Sequence, residues 1–145
     1  MTGIEFENLV ESLLIKNKIP YIREGVKVAR GHQTSKGKFD FDTTYAMELK
    51  HIDKLSNLTL PCCVINHKLF IKADPKIKSH QLKALREADK VGGLLIHEGS
   101  TNSTYWLNMN DLDRLVIEHG LFSTFAYGIL DGYEINLDEF IATMK

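Results

Sequence analysis

The segment from Lys38 to Lys50, KFDFDTTYAMELK, constrains the fold more than any other part of the chain. Apolar and charged residues alternate on both sides of Thr43 and Thr44, which is the period of a strand and not of a helix. Two such runs separated by two polar residues predict an antiparallel hairpin. Residues two apart share a face of a strand, so Glu48 and Lys50 point the same way, as do Asp40 and Asp42. With the turn centred on Thr44, positions equidistant from it stand opposite each other, which places Asp40 across from Glu48. Phe39, Phe41, Met47 and Leu49 then point to the other, core-facing side.

Two carboxylates so placed repel each other unless a cation sits between them. A hard divalent ion meets that need, and Mg²⁺ takes one or two carboxylates together with phosphate and water. Such an ion lowers the pKa of a bound water and holds a non-bridging phosphate oxygen. Lys50 alongside supplies a positive charge where charge builds on a phosphoryl centre. A Glu-x-Lys triplet alone is common on solvent-facing hairpins. Aspartate on the preceding strand lifts the pattern above that background, because Asp is depleted in strands.

The rest of the chain supplies helices and further strands. Thr2 and Glu5 form a capping box, and Phe6, Leu9, Val10, Leu13 and Leu14 recur at helical spacing, so a helix is expected over residues 3–17. Glu7 lies in the row of Val10 and Leu14 at the edge of that apolar stripe. Residues 20–30 are β-rich, and residues 31–37 read as a polar loop. LTLPCCVI and KLFIK are β-like. Ser79 to Lys90 reads as a helix stopped by Gly92 and Gly93. GLLIHE and TYWLN read as strands, and Asn110 as the cap of a helix ended by Gly120. A short strand near Tyr133 to Ile135 and a helix from Leu137 to Met144 close the chain. The expected class is α/β, an α/β sandwich around a small mixed sheet, as one domain over residues 1–145.

Composition excludes several alternatives. Hydrophobic residues make up 43% and charged residues 26%, which rules out a disordered or purely repetitive chain. There is no apolar run of membrane-spanning length and no signal-peptide pattern at the start. Cys62 and Cys63 are adjacent and poor partners for each other, so a cytoplasmic setting is expected. The net charge of −1 hides an asymmetry: residues 1–90 hold all but two of the 18 Lys and Arg residues, and residues 91–145 are acidic. Within the basic run from Lys16 to Lys38, Lys27, Arg30, Lys36 and Lys38 are candidate contacts to DNA phosphates. The six histidines never fall at zinc-protease spacing, and no Gly-rich phosphate loop precedes a Lys-Ser or Lys-Thr pair.

Asp40, Glu48 and Lys50 on a hairpin resemble the signature of the PD-(D/E)xK nucleases. GIEFE at Gly3 to Glu7 resembles the Gly-x-x-x-Glu opening of their first helix in Holliday junction resolvases. KFDFDT and HQLKALREADKVGGLLI are similar to segments of the RecU-like resolvases, a group also found in phages. The resemblance covers roughly residues 3–118 and implies a restriction-endonuclease-like α/β sandwich. It makes Glu7, Asp40 and Glu48 metal ligands, with Asp42 the alternative to Asp40, Lys50 the catalytic lysine and Gln81 a helix residue that orients water or lysine. It implies Mg²⁺ as cofactor, Mn²⁺ as its substitute, and hydrolysis leaving a 5′-phosphate. The expected substrate is DNA, preferentially a four-way junction, cut by a homodimer with no membrane involvement. Apolar segments at 58–65, 68–72 and 120–130 are candidate interface material. The alternatives are a restriction-like or repair endonuclease on duplex or flapped DNA, and a non-catalytic DNA-binding module on the same fold.

Overall fold

The structure, a computed structural model, describes residues 1–23, 39–65, 68–71, 75–119 and 128–145. In chain order the elements are α1 (Gly3–Lys16), β1 (Ile22–Arg23), β2 (Phe41–Asp42), β3 (Ala46–Ile52), a 3₁₀ turn (Leu55–Asn57), β4 (Cys62–Ile65), β5 (Lys68–Ile71), α2 (Ser79–Glu87), β6 (Gly92–Glu98), β7 (Ser103–Asn108), α3 (Met109–His119), β8 (Glu134–Ile135) and α4 (Leu137–Ala142). Six strands form one mixed sheet in the order β1-β2-β3-β6-β7-β8, and β4 pairs with β5 in a separate ribbon. Among the described strands only β3 and β6 run parallel, with Glu48 opposite Leu94. No described helix is long and apolar enough to cross a membrane.

The α/β class read from the sequence is the observed one, and the sheet is covered on both faces. Phe6, Val10 and Leu14 of α1 pack with Phe41, Met47, Leu49 and Leu95, and Ile141 and Met144 close that side. On the other face, Leu82 and Leu85 of α2 and Leu112 and Leu115 of α3 pack on Ala46, Ile52, Leu94 and Ile96. Two covered faces explain why β6 is buried along its whole length, as parallel pairing at the centre of a sheet requires. The capping box forms as expected: the Glu5 N–H donates to Thr2 Oγ1, and the Thr2 N–H donates to Glu5 Oε2.

Several boundaries differ from the sequence reading, each for a local reason. Gly92 and Gly93 open β6 and do not stop α2, which ends at Glu87. A Cβ on Gly92 would lie 2.4 Å from the Leu85 carbonyl oxygen, so glycine is required by the close approach of helix and strand. The cap of α3 is Asn108, whose Oδ1 accepts the Asp111 N–H at 2.8 Å, and Asn110 lies inside the helix. Phe39 precedes β2 in a bent segment and packs on the α2 side, not with Phe41 and Met47. Leu58, Leu60 and Leu130 are buried in the protein's own core, so these parts of the expected interface segments are already covered. Residues 120–127 and the basic candidates Lys27, Arg30, Lys36 and Lys38 lie outside the described residues.

Candidate active site

The hairpin has the expected register: Phe41 pairs with Met47 and Asp42 with Ala46. Pairing stops at Phe41, and the chain bends away from β3 at residues 39–40. The opened edge of β3 therefore needs another acceptor, and Asp40 provides it: the Leu49 N–H donates to Asp40 Oδ2 at 2.8 Å. This anchors the Asp40 carboxylate beside Glu48. Asp42 is turned to Lys90, whose ammonium pairs with its carboxylate and donates to the Thr43 carbonyl at 2.8 Å.

Glu48 is not on an open charged face, as simple alternation suggested. It is only 4% exposed, on the same side of β3 as Ala46 and Ile52, which belong to the α2-side core. Its Oε2 is buried without a hydrogen-bond partner among the described residues. Burial, then the Asp40 charge, push its carboxyl up to about 8, although Lys50 pulls in the other direction. Lys50 is driven below the usual lysine range, first by burial and then by neighbouring Lys78, while Glu48, Asp40 and Glu7 oppose that shift.

Glu7 completes the cluster from α1. Its carboxyl is raised by burial and by the charge of Asp40, against the opposing pull of Arg23 and Lys50. Arg23 Nη2 is 3.9 Å from Glu7 Oε1, but the guanidinium is held mainly elsewhere, at 3.2 Å from Glu11 Oε1 and 2.9 Å from Asn8 Oδ1. Three carboxylates thus share one electrostatic environment with Lys50. Among the described residues no three His, Cys, Asp or Glu side chains are already drawn together at ligating distance. The donor set nevertheless suits a hard divalent ion: all oxygen, mutually repelling, and including one buried oxygen with no other partner.

Gln81 has a local duty. Its Oε1 accepts the Lys78 N–H at 2.9 Å, which ties the side chain to the start of α2. Two contributors were missed in the sequence. Arg23 stands opposite Phe41 in β1, one residue from Asp40, but the short strand gave no period to place it. Lys78 precedes α2 and reaches Lys50 electrostatically only because α2 packs against β3. The chain matches no protein-family model and no curated protein.

Proposed function

We propose that the protein is a Mg²⁺-dependent DNA endonuclease of the PD-(D/E)xK type, with a restriction-endonuclease-like fold, acting on four-way junctions. The observation that carries this reading is the buried, unpartnered Glu48 Oε2 beside Asp40, with Lys50 on the same face of β3. A buried carboxylate oxygen with no partner is costly unless a ligand completes it. Asp40 and Glu48, with Glu7 from α1, would hold the ion, and the ion when bound supplies Lewis-acid activation of water and charge neutralisation. Asp40 is oriented for this by the Leu49 N–H. Glu48 must give up its proton before it can ligate. Lys50 stabilises the charge that develops on the phosphoryl oxygens, and its partial burial strengthens that effect by excluding water. Gln81 fixes the start of α2, the helix that carries Lys78 toward Lys50.

Selectivity for branched DNA is part of the proposal and comes from shape and phosphate contacts, not base readout. The test is cleavage of four-way, flapped and linear DNA of the same sequence with Mg²⁺. Preferential cutting of the four-way substrate is the expected result. Equal cutting of linear or flapped DNA would replace the junction assignment by a general or repair endonuclease. No cutting of any DNA with Mg²⁺ or Mn²⁺ would remove the catalytic reading.

A further inference from the structure

A cavity of about 920 Å³ opens directly beside Lys50 and is walled by Asp53, Ser56, Asn57, Thr59 and Lys76. This is at the upper end of ligand-pocket sizes. Apart from Lys50, these wall residues come from the connection between β3 and α2, a stretch in which the sequence shows no site motif. Hydrogen bonds and buried side chains anchor the described ends of that connection. Glu98, buried in β6, accepts the Leu55 N–H at 2.7 Å and the Thr101 hydroxyl at 2.7 Å. Thr59 accepts the Lys76 N–H on its hydroxyl at 2.7 Å and the Ile77 N–H on its carbonyl at 3.0 Å. Leu55, Leu58, Leu60 and Ile77 are buried beneath.

On this frame the outward groups are donors. Ser56, Asn57 and Lys76 are exposed. Their side chains make no hydrogen bond or ion pair among the described residues. Lys50 and Lys76 give the cavity two cations against the single carboxylate of Asp53. A neutral small molecule would not call for two ammonium groups. An anionic polymer that continues from the reacting phosphate does, because Lys50 belongs both to the cavity wall and to the catalytic cluster.

We infer that this cavity is a backbone subsite for the DNA strand on one side of the scissile phosphate, in which Lys76, Asn57 and Ser56 bind phosphate oxygens. The inference rests on the nuclease reading and adds to it the path of the bound strand. The contacts are sequence-independent: an ammonium, an amide and a hydroxyl directed at phosphate and sugar. Lys76 acts as a point charge, and its loss reduces counterion release.

The test is equilibrium binding of the full chain to a fluorescent four-way junction and to a duplex, in Ca²⁺ to suppress cutting, across a range of KCl. Two variants are compared with wild type: the triple variant Ser56→Ala, Asn57→Ala, Lys76→Ala, and the single charge reversal Lys76→Glu. All three positions are exposed, and circular dichroism checks that both variants fold. Binding about tenfold weaker at low salt is expected, with the log–log salt slope shallower by roughly 0.7–0.9 for the lost lysine contact. Wild type that binds and cuts DNA, with both variants matching its affinity and slope, would overturn the subsite alone. Wild type that neither binds nor cuts any DNA would overturn the nuclease reading and the subsite together.

Discussion

Glu48 concentrates the energetic tension of the site. Its carboxyl takes up protons at about 8 in the folded protein, against an ordinary value of 4.5. Between those values the folded state binds the proton more tightly than the unfolded chain. Its contribution to stability is therefore complete below about 4.5 and is lost as pH rises toward 8. Thermal melts of the metal-free protein should show the melting temperature of wild type falling relative to Glu48→Gln as pH is raised across this window. Parallel pH dependence of the two proteins would show that Glu48 is not held protonated. On the proposed reading Mg²⁺ competes with that proton, and it should then raise the wild-type melting temperature more at the alkaline end. Lys50→Ala should lower kcat by about 10²–10³-fold, corresponding to about 3–4 kcal/mol of lost charge stabilisation, with little change in DNA affinity. Filter binding beside single-turnover cleavage separates the two effects, and equal loss of both would make Lys50 only a phosphate contact. The register of Phe41 and Asp42 against β3 was legible because a two-residue period and a short turn fix it, but Asp40 reaches the site from the bend before β2 and not as a strand partner of Glu48. The burial of Glu48 was not legible, since it depends on where α2 packs, and the same ignorance hid Lys78.

At the scale of elements, the contact between α2 and β6 places Lys78 and Gln81 beside the sheet. Gly92 makes that contact possible. Gly92→Ala puts a methyl group against the Leu85 carbonyl, which is backbone and cannot turn aside. The substitution should destabilise the protein by about 1–3 kcal/mol, as overpacking does, read from urea unfolding with an unchanged m-value. A neutral effect would mean that α2 can move away from the sheet at little cost. Most elements were readable where period and caps agreed, as in α1 with Thr2 and Glu5. The reading failed where a residue type has two meanings. Glycines that resemble a helix stop served instead for close backbone approach. Asn110 resembled a cap, but Asn108 reached the free N–H of Asp111. Phe39 broke the alternation because its backbone leaves the strand to let Asp40 turn toward Leu49.

At the scale of the molecule, a sheet covered on both faces leaves the cluster at the point where β2 and β3 diverge, with carboxylates from a helix, a strand and the bend before β2. On the proposed reading, one such set per chain makes one cut. A four-way junction has two equivalent strands, and a homodimer with twofold symmetry presents two equivalent sites. Sedimentation at micromolar concentration should therefore give a dimer, burying well over about 1,000 Å². A monomer that still resolves junctions would contradict this. Since Leu58, Leu60 and Leu130 are buried within the chain, the exposed Ile4 and Ile15 of α1 and Ile71 of β5 are better placed to meet a second copy. The measurement that bears most directly on the whole account is cleavage of an end-labelled four-way junction by wild type and Glu48→Gln, with and without Mg²⁺. Paired symmetric nicks with 5′-phosphate ends, present only with Mg²⁺ and lost in Glu48→Gln, are the predicted result. Nicks that persist without divalent metal, or in Glu48→Gln at the wild-type rate, would contradict it.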